Sequence, residues 1–156
     1  MSKAKDLIES LSELDESNVH VYLSRKDLKT LKGLGFEGKK LGGDFWCAEN
    51  KLTSLDGAPK EVGGSFYCLF NKLTSLRGAP KEVGGSFYCD GNNLKSLEGS
   101  PKEVGGKFSC DHNKLTDLKG APKEVGGYFD CSDNFGKTFT EEEIRAVCNV
   151  KGKVYV

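Results

Sequence analysis

Apolar residues recur along this chain at a fixed distance. From Gly42 onward the order Phe, Cys, Leu, Leu, Val returns every 21 residues. GGDFWCAENKLTSLDGAPKEV at 42–62 is followed by GGSFYCLFNKLTSLRGAPKEV at 63–83, GGSFYCDGNNLKSLEGSPKEV at 84–104 and GGKFSCDHNKLTDLKGAPKEV at 105–125. A fifth copy starts at Gly126 as GGYFDCSDNFGKTF and then decays. A fixed period in this range marks a stacked repeat architecture. Within a copy, Phe45 and Cys47 lie two apart, the spacing of a short strand with one buried face. Leu52, Leu55 and Val62 fill the rest of the coil, Gly57 permits a positive φ, and Pro59 stiffens an extended return. No single copy buries its own apolar face, so stability must come from neighbours.

The pattern continues beyond the clean copies. In VHVYLSRKDLKTLKGLGF, Val21 and Leu23 match Phe45 and Cys47, Leu28 and Leu31 match Leu52 and Leu55, and Gly33 matches Gly57. The Pro-Lys-Glu-Val part is replaced there by a longer stretch, Leu34 to Leu41. Upstream, Leu7, Ile8, Leu11 and Leu14 fall at helical spacing in KAKDLIESLSEL and predict an amphipathic helix that seals the first coil. Downstream, Thr140 and Glu143 form a capping box, Ile144 and Val147 supply an apolar helix face, and KVYV reads as a last strand. The expected organisation is one solenoid domain over 1–156. It comprises an N-terminal cap helix at 1–18, a degenerate coil at 19–41, five coils at 42–136 with the last incomplete, and a C-terminal cap at 137–156.

The framework F-x-C-x-x-N-x-L-x-x-L-x-G-x-P-x-x-V resembles the leucine-rich repeat, with Phe and Cys in the first two leucine slots. N-K-L-T-S-L followed by Pro is similar to the short class found in secreted bacterial effectors. Similar G-A-P-K-E-V-G-G repeats occur in proteins of tailed bacteriophages and bacteria. The effectors carry Leu-Pro where this chain has Ala-Pro or Ser-Pro, a difference on the convex side. The resemblance covers residues 19–136. It implies a leucine-rich-repeat-like solenoid with a parallel β-sheet on one face, an extended, turn-rich return side and helical caps at both ends. It also implies that the sheet face is the binding face.

Composition narrows the function classes. Lysine and arginine number 23, as do aspartate and glutamate, so no global charge draws the chain to nucleic acid or anionic lipid. No apolar run is long enough to span a membrane, and the first residues lack a secretory apolar core, so a cytoplasmic protein is expected. Five of the six cysteines, Cys47, Cys68, Cys89, Cys110 and Cys131, share one repeat position and are expected as a column of buried free thiols. Cys148 is expected as a buried helix residue. No Cys-x-x-Cys pair argues for zinc, and no metal or cofactor is expected. Cys131-Ser132-Asp133 spells the Cys-x-Asp of effector ubiquitin ligases, but its cysteine belongs to the core column. No enzymatic activity is expected.

The variable letters carry the functional reading. Asn50 and its copies predict a ladder that satisfies backbone groups at the bend. Residues flanking Phe and Cys should point outward because side chains alternate. One half of that wall then shows Trp46, Tyr67, Leu69, Phe70 and Tyr88. The other shows Asp90, Asp111, His112, Tyr128 and Asp130. An exposed aromatic patch beside carboxylates marks a protein-binding surface, with the aspartates engaging basic groups. The competing reading is that the rings only pair with one another across strands. The expected function is a non-enzymatic protein-binding module, with a phage-encoded inhibitor of a host or defence protein, acting in the host cytoplasm, as its specific form. The alternatives are carbohydrate binding and a self-associating structural or virion component. The Lys-Glu pairs of the return side read as a solvated surface.

Overall fold

The computed structural model describes residues 16–156. The expected cap helix over 3–14 lies outside them. The chain winds as a parallel β-solenoid of about six turns with a 21-residue repeat, and two-residue strands on two walls carry the winding. Strands β1 (Val21–Tyr22), β3 (Phe45–Trp46), β5 (Phe66–Tyr67), β7 (Phe87–Tyr88), β9 (Phe108–Ser109), β11 (Phe129–Asp130) and β13 (Val154–Tyr155) form one seven-stranded parallel sheet in that order. The return side is extended, as the prolines predict, and it goes further. Its Glu-Val dipeptides pair into a second parallel sheet of six strands: β2 (Lys40–Leu41), β4 (Glu61–Val62), β6 (Glu82–Val83), β8 (Glu103–Val104), β10 (Glu124–Val125) and β12 (Asn149–Val150).

Alternation sets the inside and outside of both walls. Phe45, Phe66, Phe87, Phe108 and Phe129 are fully buried and stack as one column, with neighbouring ring centroids 5.0–5.6 Å apart. The thiols of Cys47, Cys68, Cys89, Cys110 and Cys131 are free and buried beside them. The Sγ of Cys68, Cys89 and Cys110 donates to a backbone carbonyl of the following coil at 3.2–3.4 Å. Val62, Val83, Val104 and Val125 close the core from the second sheet. The paired glycines between the walls are required by proximity. A Cβ on Gly84 would lie 2.3 Å from the Gly63 carbonyl oxygen.

Turn chemistry follows two columns. Gly57, Gly78, Gly99 and Gly120 hold φ of 82–95°, as the repeat predicts. The residue before each asparagine is also left-handed: Glu49, Phe70, Gly91, His112 and Asp133 have φ of 50–63°. The asparagine ladder closes these bends. Asn92 Oδ1 accepts the N–H groups of Asn71 and Leu73 at 3.2 and 3.0 Å, and its Nδ2 donates to the carbonyls of Cys68 and Cys89 at 3.1 and 3.0 Å.

The end coils depart from the period by insertion. Val21 pairs with Phe45, 24 residues on, whereas Leu41 pairs with Val62, 21 on (45 − 21 and 62 − 41). The three extra residues bring in Phe36, which is buried edge-on against Phe45 at 5.2 Å and covers the end of the phenylalanine column. At the other end, helix α1 (Glu141–Val147) replaces the loop side of the last coil, and Thr140 and Glu143 make both bonds of the capping box. Ile144 is buried, but Val147 is 49% exposed, so the helix face is narrower than the sequence pattern implies. Cys148 is buried beyond the helix as its extended C-cap, a correction of its expected place within the helix. The chain then adds β12 and β13, so the C-terminal cap is itself a further turn.

Candidate functional site

Side chains at the outward positions of the seven-stranded sheet are set by register. Because Trp46 pairs with Tyr67 and Tyr67 with Tyr88, identical strand positions align their rings in one column. Trp46 and Tyr67 stack at 3.6 Å and 12°, and Tyr67 and Tyr88 at 5.0 Å and 8°. The column extends one coil further than the repeat pattern marked. Tyr22 stacks on Trp46 at 6.2 Å, and His20 lies 6.4 Å from Tyr22. The signal for Tyr22 was available: it sits between Val21 and Leu23, the degenerate matches of Phe45 and Cys47. The rings of Tyr22, Trp46, Tyr67 and Tyr88 stack face to face, so the wall presents mainly ring edges.

Leu69 is half-buried beside this ladder, and Phe70 is 56% exposed. Phe70 has φ of 53°, a conformation that costs an ordinary side chain about 1–2 kcal/mol. Its ring lies over the next residue of the same column, where a Cβ on Gly91 would come within 2.5 Å of it. The one glycine in that outward column therefore makes room for an exposed phenylalanine.

The second half of the wall is polar and largely satisfied internally. Ser109, itself buried, donates to Asp90 and lies 2.9 Å from Asp111 Oδ1. Burial, and then the hydrogen bond with Asp111, push the Asp90 carboxyl up to about 7. Burial acts to raise Asp111 too, but hydrogen bonds from Asp90, His112 and Ser109 prevail and hold it down at about 2. The two carboxyls thus share one proton below neutral pH. His112 Nδ1 meets Asp111 Oδ2 at 2.7 Å, which raises the imidazole pKa. Asp130 is held by Ser132 Oγ at 2.7 Å and by Lys107 Nζ at 3.5 Å. Lys107 also lies 5.6 Å from the Tyr88 ring centroid and 5.1 Å from that of Tyr128. Tyr128 is exposed and packs edge-on against Tyr155 at 5.4 Å.

The ten sequence-selected residues therefore lie along one wall but in two unlike groups. Trp46, Tyr67, Tyr88, Leu69 and Phe70 form an apolar patch. Asp90, Asp111, His112, Asp130 and Tyr128 form a network whose charges are already partnered. A further column, one residue before the buried strand positions, is structural. The side chains of His20, Asp44, Ser65 and Ser86 each accept the backbone N–H of the following coil's equivalent residue, at 2.6–3.1 Å. Among the described residues no group of three or more His, Cys, Asp or Glu side chains is placed to hold a metal ion, and no helix is long and apolar enough to cross a membrane. Comparison of the chain with family models, with curated proteins and with solved structures finds no match.

Proposed function

We propose that this chain is a non-enzymatic docking scaffold that binds a partner protein on the outward wall of the seven-stranded sheet. The observation that carries the reading is the pairing of Phe70 with Gly91 beside the aromatic ladder. A phenylalanine kept exposed in a left-handed backbone is a local cost that the fold does not need. With Leu69 and the edges of Tyr22, Trp46, Tyr67 and Tyr88 it makes a contiguous apolar surface of the residue types enriched at binding hot spots. The partner is expected to present an apolar patch there. The partnered aspartates of the second half supply a polar rim rather than free charge for basic groups.

Ring stacking also separates this reading from its rivals. Sugars and bases bind aromatic faces, and here neighbouring rings occupy the faces. Self-association is favoured by a different feature, the exposed Val147, Tyr155 and Val156 at the last coil. The buried free thiols suit a reducing, cytoplasmic compartment. A short leucine-rich-repeat-like ancestry and a phage-encoded inhibitor of a host or defence protein remain the specific form of the proposal, resting on the repeat wording alone. The test is affinity capture from cells of the source with wild type, with Trp46→Ala/Tyr67→Ala and with the return-face change Lys81→Glu. The reading expects a captured protein that the double variant loses and the return-face variant keeps, with circular dichroism unchanged. Equal capture by all three removes the wall from the account.

A further inference from the structure

We propose that the N-terminal end of this wall carries a carboxylate-binding pocket formed by Tyr22, Ser24, Lys26 and Trp46. The four residues line one solvent-open pocket of about 290 Å³. Two polar side-chain atoms of these residues, Trp46 Nε1 and Ser24 Oγ, are closed to solvent and have no hydrogen-bond partner among the described residues. An indole N–H only donates, and a serine hydroxyl donates readily. Leaving such a group buried and unpaired costs about 1–3 kcal/mol, and folded proteins rarely keep one without a reason.

The positions of these donors are fixed by the ladder. The N–H groups of Leu23 and Arg25 donate to the carbonyls of Trp46 and Ala48 at 2.6 and 3.2 Å, which turns Ser24 to the outer face next to Trp46. Tyr67 at 3.6 Å holds the plane of the indole. Lys26 is anchored through its backbone N–H, which donates to Asn50 Oδ1 at 2.9 Å. Its neighbours are paired in salt bridges, Arg25 with Glu49 at 2.8 Å and Asp27 with Lys51 at 2.9 Å, whereas no ion pair among the described residues engages the Lys26 ammonium. Two neutral donors and one cation, with no acidic side chain lining the pocket, call for a ligand with two acceptor oxygens and one negative charge. A carboxylate has that form, and charge-assisted hydrogen bonds to it are the strong ones. Tyr22 is the group that gives way to admit it. It is 66% exposed, and its ring sits 6.2 and 6.4 Å from its two neighbours, the loosest stacks of the ladder.

The inference does not need the docking reading, because a free carboxylate is a sufficient probe. Trp46 is the only tryptophan of the chain, so the proton–nitrogen correlation spectrum holds one indole N–H resonance. The intact chain is titrated with sodium acetate to about 100 mM, where a millimolar site is saturated, and with sodium chloride and phosphate at matched ionic strength. The expected result is a saturable downfield shift with acetate that chloride and phosphate do not reproduce. Ser24→Ala and Lys26→Gln are each expected to weaken it about tenfold, the loss of one charge-assisted bond. Ser24→Ala should do so without lowering the urea midpoint, since it removes an unpaired group. An indole resonance that acetate does not move overturns the proposal and leaves water as the partner of both donors. A shift shared equally by the other anions, or one insensitive to both substitutions, overturns it as well.

Discussion

At the scale of single residues, some side chains serve the coil and others serve the wall. Asn92 serves the coil, since it satisfies two N–H groups and two carbonyls at a bend closed to water. Asn92→Ala is expected to cost roughly 3 kcal/mol or more in urea unfolding, because several buried groups lose partners at once. Phe70 serves the wall. Phe70→Gly is expected to leave stability within about 1 kcal/mol of wild type, the relief of the left-handed backbone offsetting the lost ring contact, while partner capture falls. Asp90 gives a pH signature. Its pKa is raised in the fold, so the native state holds a proton that the unfolded chain has released above about pH 4. Stability from this group is therefore full below that pH and is lost as pH rises through about 7. Urea midpoints are expected to fall across that window in wild type and to flatten in Asp90→Asn; an unchanged slope contradicts the shared proton. Of these residues the asparagines were legible in sequence, because one invariant letter at a bend has few physical uses. The left-handed column was not, because Glu, Phe, His and Asp share no chemistry that announces positive φ.

At the scale of elements, strand positions were readable and strand partners on the return side were not. Phe-x-Cys announces a pleat, and Pro-Lys-Glu-Val announces an extended segment. Pairing of the Glu-Val dipeptides requires coils at sheet spacing on both walls, which depends on the Gly-Gly contacts between coils. The structural task of the column of His20, Asp44, Ser65 and Ser86 is illegible for a similar reason. Variation among short acceptors conceals a shared task, and only the backbone N–H of the next coil reveals it. Helix α1 was legible through its cap. Thr140→Ala is expected to cost about 1 kcal/mol, the usual worth of an N-cap, and thermal unfolding of the single variant checks it. Glu143→Gln should cost less, since the amide still reaches back to the Thr140 N–H.

At the scale of the whole molecule, each coil contacts its neighbours, so the protein behaves as a one-dimensional stack. Removing residues 63–83 joins Val62 to Gly84 in an unbroken phase of the repeat. The shortened chain is expected to fold with a lower urea midpoint, whereas removal of a few residues from the same segment should prevent folding. The repeat and the buried columns were thus legible in the sequence, while the added turn at the C-terminal end was not, and the identity of a partner is carried by no repeat letter. The central claim is that alternation hides phenylalanines and thiols and turns their neighbours onto a common wall. Thiol labelling under native conditions tests it most directly, comparing wild type with Tyr88→Cys. All six native cysteines are buried and free, and burial raises their pKa. They are expected to stay unlabelled until the chain is denatured, while Cys at position 88 reacts at once beside a silent Cys89. Prompt labelling of Cys89 in wild type, or a silent cysteine at 88, would contradict the register on which the wall depends.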